Sequence, residues 1–364
     1  MCLCHNPINC IIPPHMLDVM LLRGDKSVRK MAESLIKIGE STREDRAASM
    51  GSGVVPAADG SGTFVSHAMA QGAAGPHTHT CNREVYDGEE KAALPGVLVR
   101  AEGDPPTGDE EVDRAYEGAG AVFDLYSEEF NRNSIDGFGM TMVQTVHHRR
   151  KYNNAFWNGV QMAYGDGDGQ IFQTFTELSV VAHEISHGVV QHSGGLIYQG
   201  KSGALNESYA DVFGAMTQQR KQGQSVYEAD WLVGRGILGP NINGVALRSM
   251  KAPGTAYSDA LLGQDPQPYH MDFYVNTTSD NGGVHINSGI PNHAFYLYCM
   301  YLGGNSWEKP GQIWYKALQQ INNPHATFGD WAAQTLDASI SLYGAGSYEM
   351  LMLRRAWNLV GIDA

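Results

Sequence analysis

Two histidines and a glutamate, His183-Glu184-Ile185-Ser186-His187, stand in an apolar, helix-compatible run from Leu178 to Gln191. On a helix, residues four apart lie about 40° from each other, one turn along one face. Two neutral imidazoles so placed can grip one Zn²⁺, and the carboxylate beside the first can reach a water on that metal. Such a kit can hydrolyse an amide bond. Val180, Val181, Ala182, Ile185, Val189 and Val190 surround the motif and predict burial, where polar groups need defined partners. The competing reading is an exposed helix that carries two histidines by chance, and the apolar flanks argue against it.

A second helical segment, Gly203 to Gln219, carries Glu207, 20 residues after His187, and Asp211 one turn beyond. A catalytic zinc takes three protein ligands and keeps a fourth position open. Glu207 can supply the third ligand atom. Asp211, on the same face, can accept the spare ring N–H of a zinc-bound histidine and fix its tautomer. In this reading Glu184 is the general base that takes the water's proton and returns it to the leaving amine. The bland alternative for both carboxylates is a solvated helix face.

The blocks around these helices extend the pattern. They are Asn153-Asn154-Ala155-Phe156-Trp157-Asn158-Gly159, then Tyr164-Gly165-Asp166-Gly167-Asp168-Gly169, then Gly195-Leu196-Ile197-Tyr198-Gln199. Gly203-Ala204-Leu205-Asn206-Glu207, Leu247-Arg248-Ser249-Met250 and Asp280 to Gly289 come next. In this order the chain resembles the thermolysin family of zinc metallopeptidases from about residue 85 to its end. Ile12-Pro13-Pro14-His15-Met16-Leu17 adds a likeness to that family's short-propeptide, protealysin-like branch.

The resemblance implies further roles. Tyr198 and His285 match two donors to the oxyanion, and Asp280 the carboxylate that orients His285. Arg248 matches the arginine that binds a peptide carbonyl on the leaving-group side, a task suited to its planar fork. Asn154 and the Ala155 backbone match an edge strand on which an extended peptide lies. Phe172, Val180 and Leu247 are candidates to line an apolar pocket on the leaving-group side, with ordinary core as the alternative. Without the resemblance, Tyr198 reads as a half-buried hairpin tyrosine and His285 as a loop histidine.

The chain also departs from the pattern. The family's paired calcium ions are held mainly by carboxylates behind the zinc site. Here Ser179, Gln218, Leu232 and Arg235 fall at four of those acidic positions. An arginine cannot ligate Ca²⁺, which needs several oxygens, so the paired site is expected to be lost. Asp166 to Glu177 is no EF-hand, because Ile171 stands where that loop needs glycine; the Asp-Gly pairs read as turns.

Composition narrows the partners. A formal net charge of −14 and a pI near 5.4 argue against nucleic acid or an anionic membrane. No apolar run reaches the eighteen or so residues of a spanning helix. The N-terminus lacks a basic start, and Asn9, Pro13 and Pro14 break its short apolar stretch, so no signal peptide is recognisable. Secretion is implied by the resemblance alone, with a cytoplasmic location as the alternative. The 5 cysteines form no readable disulfide framework. The Asn206 sequon is rejected as buried, and Asn276 is the better surface sequon.

These groups need elements to position them. Residues 1–48 are expected to be a propeptide, with an amphipathic helix over Met31–Ile38. Residues 49–80, rich in Gly, Ala, Ser and Thr, read as a flexible linker where maturation would cut. Residues 81–192 form a strand-rich lobe with strands at 98–100 and 139–143, a helix over 109–131, and the zinc helix at its end. Residues 193–364 form a helical lobe closing with a helix over 348–359. The expected class is α+β, two lobes with a cleft between them. Two modes of latency stand open: the propeptide lies in the cleft as a poor substrate, or Cys10 or His15 caps the zinc. The expected protein is a monomeric zinc endopeptidase made as a latent precursor. A catalytically silent scaffold would need a damaged site. An aminopeptidase would need a glutamate motif for the substrate's N-terminus, and Gly-x-Met-Glu-Asn is absent.

Overall fold

Short extended runs between residues 83 and 164 pair into the sheet that backs the cleft. The computed structural model of the chain describes residues 9–51, with side chains over residues 10–39, and residues 79–364. The strands are β1 (Asn9–Cys10), β2 (Arg83–Asp87), β3 (Val97–Ala101), β4 (Met142–Val146), β5 (Ala155–Trp157) and β6 (Met162–Tyr164). Their order is β1-β5-β6-β4-β2-β3. β4 runs parallel to β2 and to β6, and the other neighbours are antiparallel. β1 comes from the N-terminal segment and covers the free edge of β5, with Asn9 opposite Trp157 and Cys10 opposite Phe156.

That segment continues as α1 (Pro14–Arg23) and α2 (Lys26–Gly51). Pro14 suits the first helical position, whose N–H has no intrahelical partner anyway. The helix expected over 31–38 lies inside α2, which runs past residue 48 to Gly51. Most of the expected linker, residues 52–78, lies outside the described residues.

α3 (Glu110–Asp124) is capped by Asp109, whose side chain accepts from the Glu111 and Val112 N–H groups. A single wider turn, Leu125–Glu129, ends the helix expected over 109–131. The strand expected at 139–143 starts later, at Met142. Asp136 is the reason: its carboxylate takes the N–H groups of Phe138 and Met140, so that backbone turns instead of pairing.

Two helices then cross at close range. α4 (Leu178–Gln191) starts at Glu177, which accepts the Ser179 N–H, and buries every residue from Ser179 to Val190. α5 (Gly200–Gln222) packs across it. Glycines permit the approach. A Cβ at Gly188 would sit 2.6 Å from Ile135 and 3.2 Å from the Trp157 ring, and one at Gly214 would sit 2.7 Å from the Ser179 carbonyl. Larger residues there would push α4 off the sheet or off α5.

The rest is mainly helical, as expected. β7 (Leu232–Val233) pairs with β8 (Arg248–Ser249), and β9 (Ser258–Asp259) with β10 (Gly263–Gln264). α6 (Asp280–Asn287), α7 (Gly289–Leu302), α8 (Lys309–Gln320), α9 (Phe328–Tyr343) and α10 (Tyr348–Leu359) complete the chain. One apolar cluster runs through both lobes and includes Trp157, Phe175, Phe213, Trp314 and Trp357.

Candidate metal centre and catalytic cleft

His183 and His187 project from α4 toward Glu207 of α5, and all three are buried. The His183 and His187 Nε2 atoms lie 2.9 Å apart. Glu207 Oε2 lies 3.6 Å from the first and Oε1 3.3 Å from the second. Ligand atoms about 2.05 Å from a tetrahedral zinc lie roughly 3.3 Å from one another, so the triangle fits that ion. Glu207 Oε2 and both oxygens of Glu184 are buried without a hydrogen-bond partner of normal geometry, which a cation and its water would remedy. Among the described residues this is the one group of three His, Cys, Asp or Glu side chains gathered closely enough to hold a metal.

The surrounding shell sets the tautomers. His183 Nδ1 lies 2.9 Å from Asp211 Oδ1. His187 Nδ1 lies 2.8 Å from Asn206 Oδ1, and the Asn206 amide is oriented by its Nδ2–H, which donates to the Leu196 carbonyl. Both rings then carry their proton on Nδ1 and turn the Nε2 lone pair to the centre. Asp211 in turn accepts two bonds from Arg248, at 2.7 and 2.8 Å, and one from Asn292 at 2.9 Å. The orienting contact of Asn206 was not expected: in the sequence it stood out as part of the Gly203–Glu207 block and as a sequon. No local signal marks Asn292, which lies 81 residues from its partner.

Burial, helped by neighbouring His187, pushes His183 down to about 4, which keeps it in the neutral form a ligand needs. Burial, with Glu207 close by, pushes Glu184 well above the usual carboxylate range; a divalent cation would draw it back. Burial also opposes ionisation of Glu207, but the fields of His285 and His187 outweigh it and hold its carboxyl well below that range.

His285 faces this group from α6, and its backbone explains how. Asp280, Asn281, Gly282 and Gly283 all have left-handed φ values, between 50° and 85°. That reversal swings the Asp280 carboxylate back over the helix start. Oδ2 accepts the His285 N–H at 2.9 Å, and Oδ1 meets His285 Nδ1 at 2.6 Å. Burial alone would lower the His285 pKa, but Asp280 and then Glu207 raise it to about 9. The Tyr198 hydroxyl lies 3.1 Å from His285 Nε2 and donates to Glu207.

Comparison with known proteins now has a geometry to meet. Residues 76–191 match the model of the thermolysin metallopeptidase catalytic domain, and residues 194–362 that of its alpha-helical domain. The chain belongs to the thermolysin family of zinc metallopeptidases. An extracellular metalloprotease of Pectobacterium carotovorum subsp. carotovorum is 44% identical over 98% of this chain and 97% of its own length. Protease PrtS of Photorhabdus sp. is 52% identical over 66% of this chain and 65% of its own. A thermolysin of Alicyclobacillus acidocaldarius is 40% identical over 76% of this chain but only half of its own length. Among solved structures, the precursor of protealysin, a metalloproteinase from Serratia proteamaculans, superimposes with a TM-score of 0.83 at 40% identity, covering 97% of this chain and 99% of that one. This thermolysin-family chain is thus a zinc metalloendopeptidase in precursor form, with a helical propeptide ahead of its catalytic part.

The propeptide backbone of this metallopeptidase runs through the cleft. The Ile11 N–H donates to the Ala155 carbonyl at 3.2 Å, and the Ile12 N–H to Asn154 Oδ1 at 3.1 Å. Arg248 Nη1 donates to the Ile11 carbonyl at 3.2 Å, and His285 Nε2 lies 2.8 Å from the Cys10 carbonyl oxygen. Cys10 and His15 are not among the gathered metal donors, and His15 Nε2 meets the Tyr257 hydroxyl at 2.8 Å instead. Phe172, Val180 and Leu247 are fully buried in the same apolar cluster as Ile11. Behind the zinc helix, the Ser179 hydroxyl donates to Glu177 and accepts the Gly234 N–H at 2.9 Å, while Arg235 pairs with Asp230 at 2.6 Å.

Proposed function

We propose that His183, His187 and Glu207 hold the zinc and that the surrounding side chains divide the work of hydrolysis among them. When bound, the ion supplies a Lewis acid that polarises the scissile carbonyl and lowers the pKa of a water toward ~7. Glu184 takes the water's proton on a carboxylate oxygen and delivers it to the leaving nitrogen. His285, held protonated by Asp280, and Tyr198 donate to the oxygen on which negative charge develops; each such donor is worth ~10²–10³ in rate. Asp211 and Asn206 orient the two histidines. Ala155 and Asn154 bind the extended backbone, and Arg248 binds the carbonyl on the leaving-group side. Phe172, Val180 and Leu247 give that side a preference for apolar residues.

The observation that carries this reading is the propeptide backbone itself. Four main-chain groups of residues 10–12 already engage Ala155, Asn154, Arg248 and His285, as an extended peptide substrate would. The same contacts support latency by occupation of the cleft over capping of the metal by Cys10 or His15. Residues 1–48 act as the inhibitory propeptide, joined through 49–80 to catalytic lobes at 81–192 and 193–364. The Ser179 and Arg235 contacts support loss of the paired calcium site. Export is supported by the extracellular relative. Among the described residues no helix is long and apolar enough to cross a membrane.

Casein hydrolysis by the matured chain, with and without a zinc chelator, tests the reading. Hydrolysis should vanish with chelator. Glu184→Ala should lower it by at least ~10³ while zinc content stays at one ion per chain. Chelator-insensitive hydrolysis, or an active Glu184→Ala enzyme, would overturn it.

A further inference from the structure

The register of the propeptide strand singles out one peptide bond, given the peptidase function proposed for this cleft. Arg248 is assigned the first carbonyl on the leaving-group side, and His285 the carbonyl under attack. In the structure these partners are consecutive: His285 meets Cys10 and Arg248 meets Ile11. Cys10 precedes Ile11, so the strand runs in the direction of a substrate. A reversed strand would place the arginine on the acyl side. Ala155 and Asn154 hold the next two amides, those of Ile11 and Ile12, and both lie on the leaving-group side. The Ile11 side chain is fully buried, as an apolar leaving-group pocket requires.

The leaving-group side of this bond is firmly anchored. Downstream, Ile12, Met16, Leu17 and Met20 are all buried, and α1 leads into α2. Upstream, among the described residues, Asn9 and Cys10 pair with β5. A cut here would leave the part of the propeptide from Ile11 onward docked.

We propose that the Cys10–Ile11 bond is a self-cleavage site, cut in the precursor while residues 11–51 remain in place. The step is a plain hydrolysis. A water oxygen adds to the Cys10 carbonyl carbon, and Glu184 receives the water's proton. His285 donates to the Cys10 oxygen as charge builds there. The C–N bond then breaks, the Ile11 nitrogen takes the proton from Glu184, and the second proton of the water passes from the new carboxyl group to the same nitrogen. The products are a Cys10 carboxylate and an Ile11 ammonium group. Residues 1–10 depart, and a nicked precursor that begins at Ile11 persists until the propeptide is removed.

The full-length chain and its Glu184→Ala form, both loaded with zinc, are followed by intact mass and N-terminal sequencing, with chelator quenching at successive times. A species beginning at Ile11 is expected early in the wild type and absent from Glu184→Ala. Amide exchange of the metal-free Glu184→Ala precursor gives a readout independent of turnover. The Ile11 and Ile12 amides are expected to exchange at least a hundredfold more slowly than in an unfolded chain, which also shows that the variant is folded. Ile11→Asp, which puts a charge in the apolar pocket, is expected to slow the cut at least tenfold while the matured enzyme hydrolyses casein normally. Normal maturation and casein hydrolysis with no Ile11 terminus at any time would overturn the inference and leave the peptidase reading intact. So would an Ile11 terminus that forms equally in Glu184→Ala, or unprotected Ile11 and Ile12 amides. Loss of all chelator-sensitive casein hydrolysis would instead remove the peptidase reading, and this inference with it.

Discussion

The first and second parts of the docked N-terminal segment bury themselves very differently. Through β1 and α1, Ile11, Ile12, Met16, Leu17 and Met20 are each 5% exposed or less, and four backbone contacts tie residues 10–12 to the cleft. Along α2 as far as residue 39, only Ala32 and Leu35 are buried. An open groove of about 860 Å³, lined by Met31, Leu35, Arg149, Arg150 and Tyr152 among others, lies between that helix and the β-rich lobe. Apolar burial is worth about 25 cal/mol per Å², so inhibitory affinity should concentrate in the strand and first helix. The part of α2 as far as residue 39 then serves mainly to hold the segment near its site. The expected amphipathic helix over 31–38 is present; Leu35 and Ile36 line a pocket beside Asn154, Asp280 and His285, while the four backbone contacts named above come from residues 10–12.

Ile11→Ala should separate the two parts most. It removes a fully buried side chain beside the catalytic groups and should cost about 4 kcal/mol of docking, some ~10³-fold in the opening equilibrium. Amide exchange over residues 9–23 of a zinc-loaded Glu184→Ala precursor measures it. If Ile11→Ala opens the segment less than a truncation in α2 does, the contrast between strand and helix fails.

Acid should act next. His15 keeps Nδ1 buried without a partner, meets Tyr257 through Nε2, and lies in the field of Asp280, His285 and Arg248. Burial pushes its pKa down to about 4; Asp280 opposes that shift, while His285 and Arg248 add to it. A released His15 titrates near ~6.5, so it binds a proton that the docked form refuses. Docking is therefore strongest above pH ~6.5 and weakens as the pH falls toward 4, by up to about a hundredfold. The same exchange experiment across that range checks the slope, and His15→Gln should flatten it.

Leu35→Ala tests α2. Its cost should sit at the low end for a buried leucine, about 2 kcal/mol or some thirtyfold, because the adjoining groove lets the helix settle. A cost equal to that of Ile11→Ala would show that α2 clamps as firmly as the strand. Lys37→Ala, on the exposed face of α2, should change the opening by less than about 0.5 kcal/mol, and urea midpoints of the precursor should be unmoved.

Legibility followed the same divide between local and distant. The metal donors could be read because His183 and His187 lie one turn apart on a single helix. Glu207 and Asp211 have the same spacing on the next helix. The helix over 348–359 was equally local, but Asp166 to Gly169 do not form the expected hairpin turns; there the Asp168 carboxylate takes the N–H groups of Gln170, Ile171 and Phe172. Asn206 was visible but misvalued, because its worth lies in a side chain 19 positions away. The strand expected at 139–143 slipped to Met142 because the Asp136 carboxylate claimed backbone donors that composition alone assigned to a sheet.

By itself the amino-acid sequence determined the chemistry: which side chains can hold the ion, which carboxylate can carry the proton, and that an apolar shell keeps both out of water. Helical periodicity is a short-range property, so it survives in the sequence. Tertiary structure alone decided what occupies the cleft. The contacts that place Cys10 at His285, Ile11 at Arg248 and Ile12 at Asn154 join residues 275, 237 and 142 positions apart. No local pattern encodes such pairings. They exist because burying Ile11, Ile12, Met16 and Met20 against the catalytic lobes draws the strand to the β5 edge of the sheet, where backbone groups would otherwise lack partners.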